Sequence, residues 1–140
     1  MGLYLCVFAD DRVDDETDGV EVGSYADFNR LRQTVADHLE GGAWGSRFPV
    51  LMGHDDSDGT WGPEEAAQLE QELLCIADEF ARLPPVDVAS GWQADVVRRN
   101  GNQPRSLLES FVDVDGEFLL ERLVDLARTA VTARMPICFP

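Results

Sequence analysis

The chain has 140 residues, of which 27 are acidic and 11 basic, which gives a formal net charge of −16. One domain is the simplest arrangement, because single cores of about 100 to 200 residues are common. The charge argues against a nucleic-acid partner, which needs a cationic surface to displace counterions from phosphates, and against docking on an anionic membrane. It favours a basic protein partner, mainly through faster encounter.

The cysteines and the apolar segments bear on where the protein works. Cys6, Cys75 and Cys138 are an odd number without paired spacing, and each lies among apolar neighbours. This pattern is typical of buried, reduced thiols in a cytosolic protein. The N-terminus lacks the positive region of a signal peptide, and no apolar run is long enough to cross a membrane. We therefore expect a soluble, cytoplasmic protein.

The N-terminal region predicts a β-hairpin. Residues 2–8 form a continuous run of β-favouring apolar residues, as in a strand that is buried on both faces. Residues 10–19 follow with six acids and one arginine, a composition that suits a solvated loop. The dipeptide Asp18-Gly19 predicts a turn, and the alternating segment 20–22 predicts a short strand that pairs with the first.

A helix and a second strand are predicted next. Ser24 can cap the free amides of a helix, and Asp27 has the spacing of a near capping box. We expect this helix to end at Gly41-Gly42. The apolar segment 48–52 predicts a second core strand, in which Pro49 indicates the start or an edge position. The apolar residues of the helix recur at helical spacing and form one stripe: Phe28, Leu31, Val35 and Leu39.

The clearest predicted element is an amphipathic helix from Pro63 to Leu83. Proline at the first helical position and two glutamates in the first turn favour its start, and Pro84-Pro85 ends it. Its two faces are separated in the sequence. The apolar face holds Ala66, Leu69, Leu73, Ile76, Phe80 and Leu83, and the polar face holds Glu65, Gln68, Glu72 and Glu79.

The C-terminal third predicts shorter elements and one more long helix. Residues 92–100 predict a brief helix, and a turn at 113–116 leads into the last helix. Residues 136–139 predict a final strand beside the first. Together the elements predict one α+β domain over residues 1–140, with a small mixed β-sheet packed against about four helices. The last helix has a wide apolar face formed by Leu119, Leu120, Leu123, Leu126, Ala127, Ala130 and Val131.

The acidic loop from His54 to Glu65 raises two metal hypotheses. As an EF-hand, it would place Asp56, Asp58, Gly59 and Glu65 at positions 3, 5, 6 and 12. Position 1 is then His54, where a hard cation disfavours nitrogen, and the preceding segment predicts a strand where the motif requires a helix. As a catalytic site, His54 and Asp56 would serve a metal-dependent hydrolase, but no second histidine lies at helical spacing. A calcium-binding module and a small hydrolase thus stay open as alternatives.

Three tryptophans lie beside glycine in or near predicted loops, namely Trp44, Trp61 and Trp92. They can simply cover the edges of the core. Trp61 has a second interpretation, because it follows the acidic loop and tryptophan is enriched among binding hot spots. Carboxylates around it would select a basic partner, and the first acidic run would extend the surface if both loops leave the same edge of the sheet. The predicted partner-binding residues are Asp10, Asp11, Asp14, Asp15, Asp55, Asp56, Asp58 and Trp61.

Short motifs over nearly the whole chain carry a family resemblance. They are MGLYLCVF at 1–8, DGVEVGSY at 18–25, DF at 27–28, SRFP at 46–49, DGxW at 58–61, LPP at 83–85, GWQ at 91–93 and DxDGE at 113–117. On these motifs the chain resembles the bacterial immunity protein 70 family. The resemblance implies a protein that is encoded beside a polymorphic toxin, binds that toxin and protects the producing cell.

The absence of catalytic motifs agrees with a binding role. No Gly-x-Ser-x-Gly, Gly-x-Gly-x-x-Gly or phosphate-loop pattern occurs in the sequence, and the resemblance brings no catalytic residues with it. We therefore expect a binding protein, not an enzyme, and we expect no cofactor. A basic toxin domain would suit the acidity, and a nuclease would suit it best because its phosphate-binding surface is cationic.

Overall fold

A computed structural model describes residues 2–8, 16–54, 59–85, 104–114 and 116–139. The predicted α+β class is confirmed, and no helix in these ranges is long and apolar enough to span a bilayer. The helix predicted at 92–100 lies outside the described residues. The described elements are β1 (Gly2–Phe8), β2 (Glu16–Ser24), α1 (Tyr25–Leu39), α2 (Pro49–Gly53), β3 (Thr60–Trp61), α3 (Pro63–Phe80), a 3-10 turn (Leu108–Ser110), α4 (Leu119–Ala133) and β4 (Ile137–Cys138).

The four described strands form one sheet in the order β2-β1-β4-β3. Each neighbouring pair is antiparallel, so the strand directions in this sheet are not mixed. Cys138 of β4 pairs with Cys6 of β1, which confirms the predicted position of the last strand. Asp18 lies inside β2 opposite Val7, so the turn predicted at Asp18-Gly19 is wrong. The reason is the length of β1, because a shorter partner strand would leave many of its backbone groups unpaired.

Helix α1 begins and ends as its sequence predicts. The Ser24 hydroxyl accepts a hydrogen bond from the Asp27 amide (3.1 Å), and the Asp27 carboxylate accepts one from the Ser24 amide (2.8 Å). This reciprocal capping satisfies two amides that would otherwise lack partners at the start of the helix. At the other end, Gly41 and Gly42 have φ angles of 60° and 83°, a left-handed conformation that favours glycine.

Segment 48–52 is not the predicted strand, because it forms most of helix α2. A short apolar run cannot by itself distinguish a buried strand from a buried helical turn. The deciding contact comes from α3, where the Glu72 carboxylate accepts hydrogen bonds from the amides of Val50 (3.1 Å) and Leu51 (2.9 Å). Glu72 is buried in consequence, although the amphipathic pattern placed it on the polar face of α3.

Helices α3 and α4 pack against each other, and α1 and α4 both contact β1 and β2. The apolar faces predicted for these helices are buried in one core, to which every described strand contributes side chains. Helix α3 ends at Phe80, and Leu83 packs on the core from the turn that follows. The turn before α4 is confirmed, since the Gly116 amide donates to the Asp113 carbonyl (3.0 Å). All three cysteines are free, with Cys6 buried and the other two half-buried.

Candidate functional site

Trp61 lies in the core and not at the surface, where it was predicted to anchor an interface. It pairs with Ile137 across β3 and β4, and only 1% of the residue is exposed. The indole N–H donates a hydrogen bond to the Val50 carbonyl (3.1 Å), and the ring meets the Phe139 ring edge-on, with 5.0 Å between centroids. A side chain enclosed to this degree fastens β3 to α2 and offers no surface to a partner.

His54 connects the two ends of the acidic loop. Its Nε2 lies 3.0 Å from the Thr60 carbonyl oxygen. Because a carbonyl only accepts, Nε2 donates the proton in this contact. The ring also stacks on Phe139, with 4.3 Å between centroids and an interplanar angle of 15°. His54 therefore serves first to close the base of the loop against the core.

The metal hypotheses concern a loop that the structure describes only in part, because Asp55, Asp56 and Asp58 lie outside the described residues. Within the described ranges, no group of three or more His, Cys, Asp or Glu side chains could hold a metal ion. One argument against an EF-hand was wrong, since helix α2 and not a strand precedes the loop. Glu65, the expected ligand at position 12, accepts a hydrogen bond from the Gly62 amide (3.2 Å). Calcium and zinc sites stay predictions that direct titration can test.

The start of β3 lies near the end of β1 in the sheet. Cys6 and Thr60 both pair with Cys138 of β4, so the first residue of β3 is level with Cys6, two residues before β1 ends at Phe8. Segment 9–15 follows β1, and segment 55–58 comes before β3. A continuous acidic surface over the two segments stays a prediction. The predicted contact residues Asp10, Asp11, Asp14, Asp15, Asp55, Asp56 and Asp58 all lie outside the described residues.

Part of the acidity serves the fold. Among the described residues, four carboxylates are buried, and backbone amides or arginines bind them: Asp27, Glu40, Glu72 and Asp113. Arginines in the described ranges also contact carboxylates at 3.8 Å or less. These pairs are Arg30–Asp27, Arg47–Glu79, Arg82–Asp78, Arg105–Glu109, Arg122–Asp113 and Arg128–Glu70. Because 27 acids face 11 bases in the chain, this pairing leaves the negative surplus without compensation.

Residues 41–47, called here the Trp44 loop, are held in place by one buried carboxylate. Glu40 is 6% exposed and accepts hydrogen bonds from the backbone amides of Gly45 (3.0 Å), Arg47 (2.9 Å) and Phe48 (3.1 Å). Bonds to an ionised acceptor are about twice as strong as bonds between neutral groups. The loop is therefore fixed, although it contains three glycines.

Trp44 is the exposed tryptophan of the described residues. It is 45% exposed, while its indole N–H donates a hydrogen bond to the Met52 carbonyl (2.7 Å). The Arg32 guanidinium lies 5.5 Å from the centroid of the ring. Sequence reasoning chose Trp61 over Trp44 as the surface residue. No short-range signal separates the two, because both have glycines nearby, and only the pairing of Trp61 with Ile137 across the sheet decides between them.

Arg47, the last residue of the Trp44 loop, contacts Glu79 and Cys75 on α3. Its Nη1 and Nη2 donate to the two carboxylate oxygens of Glu79 (3.3 and 2.9 Å). This hydrogen bonding lowers the pKa of Glu79 and raises the pKa of Arg47. Burial raises the pKa of the Cys75 thiol, and its hydrogen bond to Glu79 acts in the same direction. A thiol with a raised pKa is a poor nucleophile, so this cluster fastens the loop to α3.

Comparison with known protein families adds a finding that covers nearly the whole chain. The family model described as Immunity protein 70 matches residues 3–139. No curated protein and no solved structure matches the chain. The matched range contains all of the described helices, and it agrees with the resemblance carried by the short sequence motifs.

Proposed function

Because the chain belongs to the immunity protein 70 family, we propose that it binds a cognate polymorphic toxin domain and neutralises it inside the cell that makes both. The family match over residues 3–139 is the observation that carries this proposal. The protein acts by occupying the toxin and not by catalysis. The described residues fit that role, since their buried carboxylates bind backbone amides or arginines, and burial raises the pKa of the Cys75 and Cys138 thiols, which makes them poor nucleophiles.

The partner is a basic toxin domain, and a nuclease fits best. The unpaired negative charge speeds encounter with a cationic surface and penalises acidic competitors. The phosphate-binding surface of a nuclease is cationic, so a protein that covers it with carboxylates blocks the substrate directly. The acidic segments 9–15 and 55–58 supply the aspartates proposed for this contact, and Trp61 no longer belongs to the surface because it is buried.

The direct test of this function is protection in a living cell. The toxin domain encoded immediately beside this gene is expressed in a sensitive host, with and without the protein. Survival only with the protein is expected, and a catalytically inactive toxin domain controls for the burden of expression. Continued killing in cells that contain soluble, folded protein would contradict the proposed function.

Charge reversal tests the acidic contact. Arginine at Asp55, Asp56 and Asp58 should slow association with the inactive toxin domain by about tenfold or more at low salt, and should flatten the dependence of affinity on salt. The matched control places arginine at Asp37, Glu121 and Asp125, three exposed acids on helices, so that the net charge changes equally. Equal effects of the two sets would assign the result to net charge alone and remove segment 55–58 from the interface.

A further inference from the structure

An exposed and immobilised tryptophan is the most distinctive surface feature among the described residues. Three large apolar side chains are exposed there, namely Trp44 (45%), Val114 (39%) and Leu74 (38%). Single exposed apolar residues are common and need no explanation. Trp44 differs because a buried carboxylate, that of Glu40, fixes the loop that carries it.

The Trp44 loop is organised before any partner arrives. Its end is held by Glu40 on three backbone amides, and its indole is held by the bond from Nε1 to the Met52 carbonyl (2.7 Å). Arg47 adds a paired contact with Glu79 on α3. Ordering an interfacial side chain on binding weakens the affinity. A tryptophan that is already ordered avoids that cost, which is a property of hot-spot residues.

The charge of the whole chain indicates the chemistry of the partner. With 27 acids against 11 bases, the chain attracts a basic surface. Two arginines of this region are already engaged within the chain. The Arg32 guanidinium, 5.5 Å from the indole centroid, donates to the His54 carbonyl (2.7 Å), and Arg47 is paired with Glu79. An exposed aromatic ring on a strongly acidic protein suits a surface that carries arginine or lysine.

We propose that Trp44 is the aromatic anchor of the toxin interface, and that its exposed side receives an arginine or lysine side chain from a basic surface of the toxin domain. This inference rests on the proposed function. The assignment moves the aromatic contact from Trp61, which is enclosed in the core, to a residue that a partner can reach.

Calorimetry with the inactive toxin domain tests the anchor. Trp44→Ala should weaken binding by about 30-fold or more, the effect that defines a hot spot, and mostly through faster dissociation. Its salt dependence should match that of the unsubstituted protein, because no charge is removed. The matched control is Leu74→Ala, which shortens another exposed apolar residue and should change the affinity less than threefold.

The possible outcomes distinguish failure of the Trp44 anchor from failure of the proposed toxin-neutralising function. If the protein protects cells and binds the toxin, and Trp44→Ala binds equally well, the anchor is overturned while the function stands. If the unsubstituted protein neither binds nor protects, both fall. A homodimer that Trp44→Ala dissociates would assign the loop to self-association and overturn the anchor.

A folding defect in Trp44→Ala would not leave the question open. In that case the indole N–H resonance of Trp44 is followed by NMR in the unsubstituted protein, and Trp44→Phe supplies its assignment. A shift of this resonance on addition of the toxin domain supports the anchor, and an unchanged resonance in the complex overturns it.

Discussion

Removal of the Glu40 carboxylate should lower the free energy of unfolding, because this side chain holds the Trp44 loop in place. In Glu40→Ala, the amides of Gly45, Arg47 and Phe48 lose their acceptor. Phe48 is buried, so its amide stays unsatisfied at about 1–3 kcal/mol, whereas water can replace the partner of the other two, each losing about 1 kcal/mol. The free energy of unfolding should therefore fall by about 3–5 kcal/mol.

Glu40→Gln sharpens this prediction because it keeps the shape of the side chain. Glutamine retains one acceptor oxygen, and the oxygen in the Oε2 position can still serve Arg47 and Phe48, while the amide nitrogen faces Gly45. We expect a loss of about 1–2 kcal/mol, between that of alanine and that of an exposed control. The control is Asp125→Ala on α4, which should stay within about 0.5 kcal/mol.

Urea unfolding, followed by circular dichroism, measures these differences, and the midpoint of thermal unfolding of Glu40→Ala should fall by about 10 °C. The same variant should bind the toxin domain more weakly, since Trp44 would have to be ordered on binding. A loss below about 1 kcal/mol in Glu40→Ala, equal to that of Asp125→Ala, would refute the reasoning, because the loop would then not depend on this carboxylate.

Two further predictions concern helix α3. Glu72→Gln should lower the free energy of unfolding by about 1–3 kcal/mol, because one of the two amides at the start of α2 then faces the N–H of the new side-chain amide. Urea titration measures this change. The control, Glu64→Gln on the exposed side of α3, should change the free energy of unfolding little. The Arg47–Glu79 pair should make the stability depend on pH. The hydrogen bond from Arg47 lowers the pKa of Glu79 below its ordinary value of 4.5. The stabilisation from the pair is therefore present above about pH 4.5 and is lost as the pH falls further. The stability difference between the protein and Arg47→Met should shrink below that pH by up to about 1 kcal/mol, since the pair is partly exposed, and a pH-independent difference would contradict this account.

Elements whose signals are local could be predicted from the sequence. Helix α1 carries its own cap in Ser24 and Asp27, and α3 and α4 carry long apolar stripes, so each was found with nearly correct bounds. Helix α2 could not be found in this way, because the carboxylate that caps it belongs to Glu72, more than twenty residues later in the chain.

The candidate site was less predictable because its contacts form only in the folded chain and leave no local pattern in the sequence. Glu40 and Glu72 look like ordinary surface acids, and only the folded chain brings backbone amides to them. Trp44 and Trp61 have similar neighbours in the sequence, but one stands on a loop and the other pairs with β4. Charge and composition predict a basic partner, which stays a prediction, whereas tertiary contacts are needed to choose the residues that would meet it.

Under the proposed function, the anchor and the acidity act on different steps of binding. Contact with Trp44 is short-range, so its loss should act mainly on dissociation. The net charge of −16 acts through a field that is screened over about 8 Å at physiological salt and acts mainly on association. Trp44→Ala should therefore change how long the complex lasts, and charge reversal of the acidic segments should change how fast it forms.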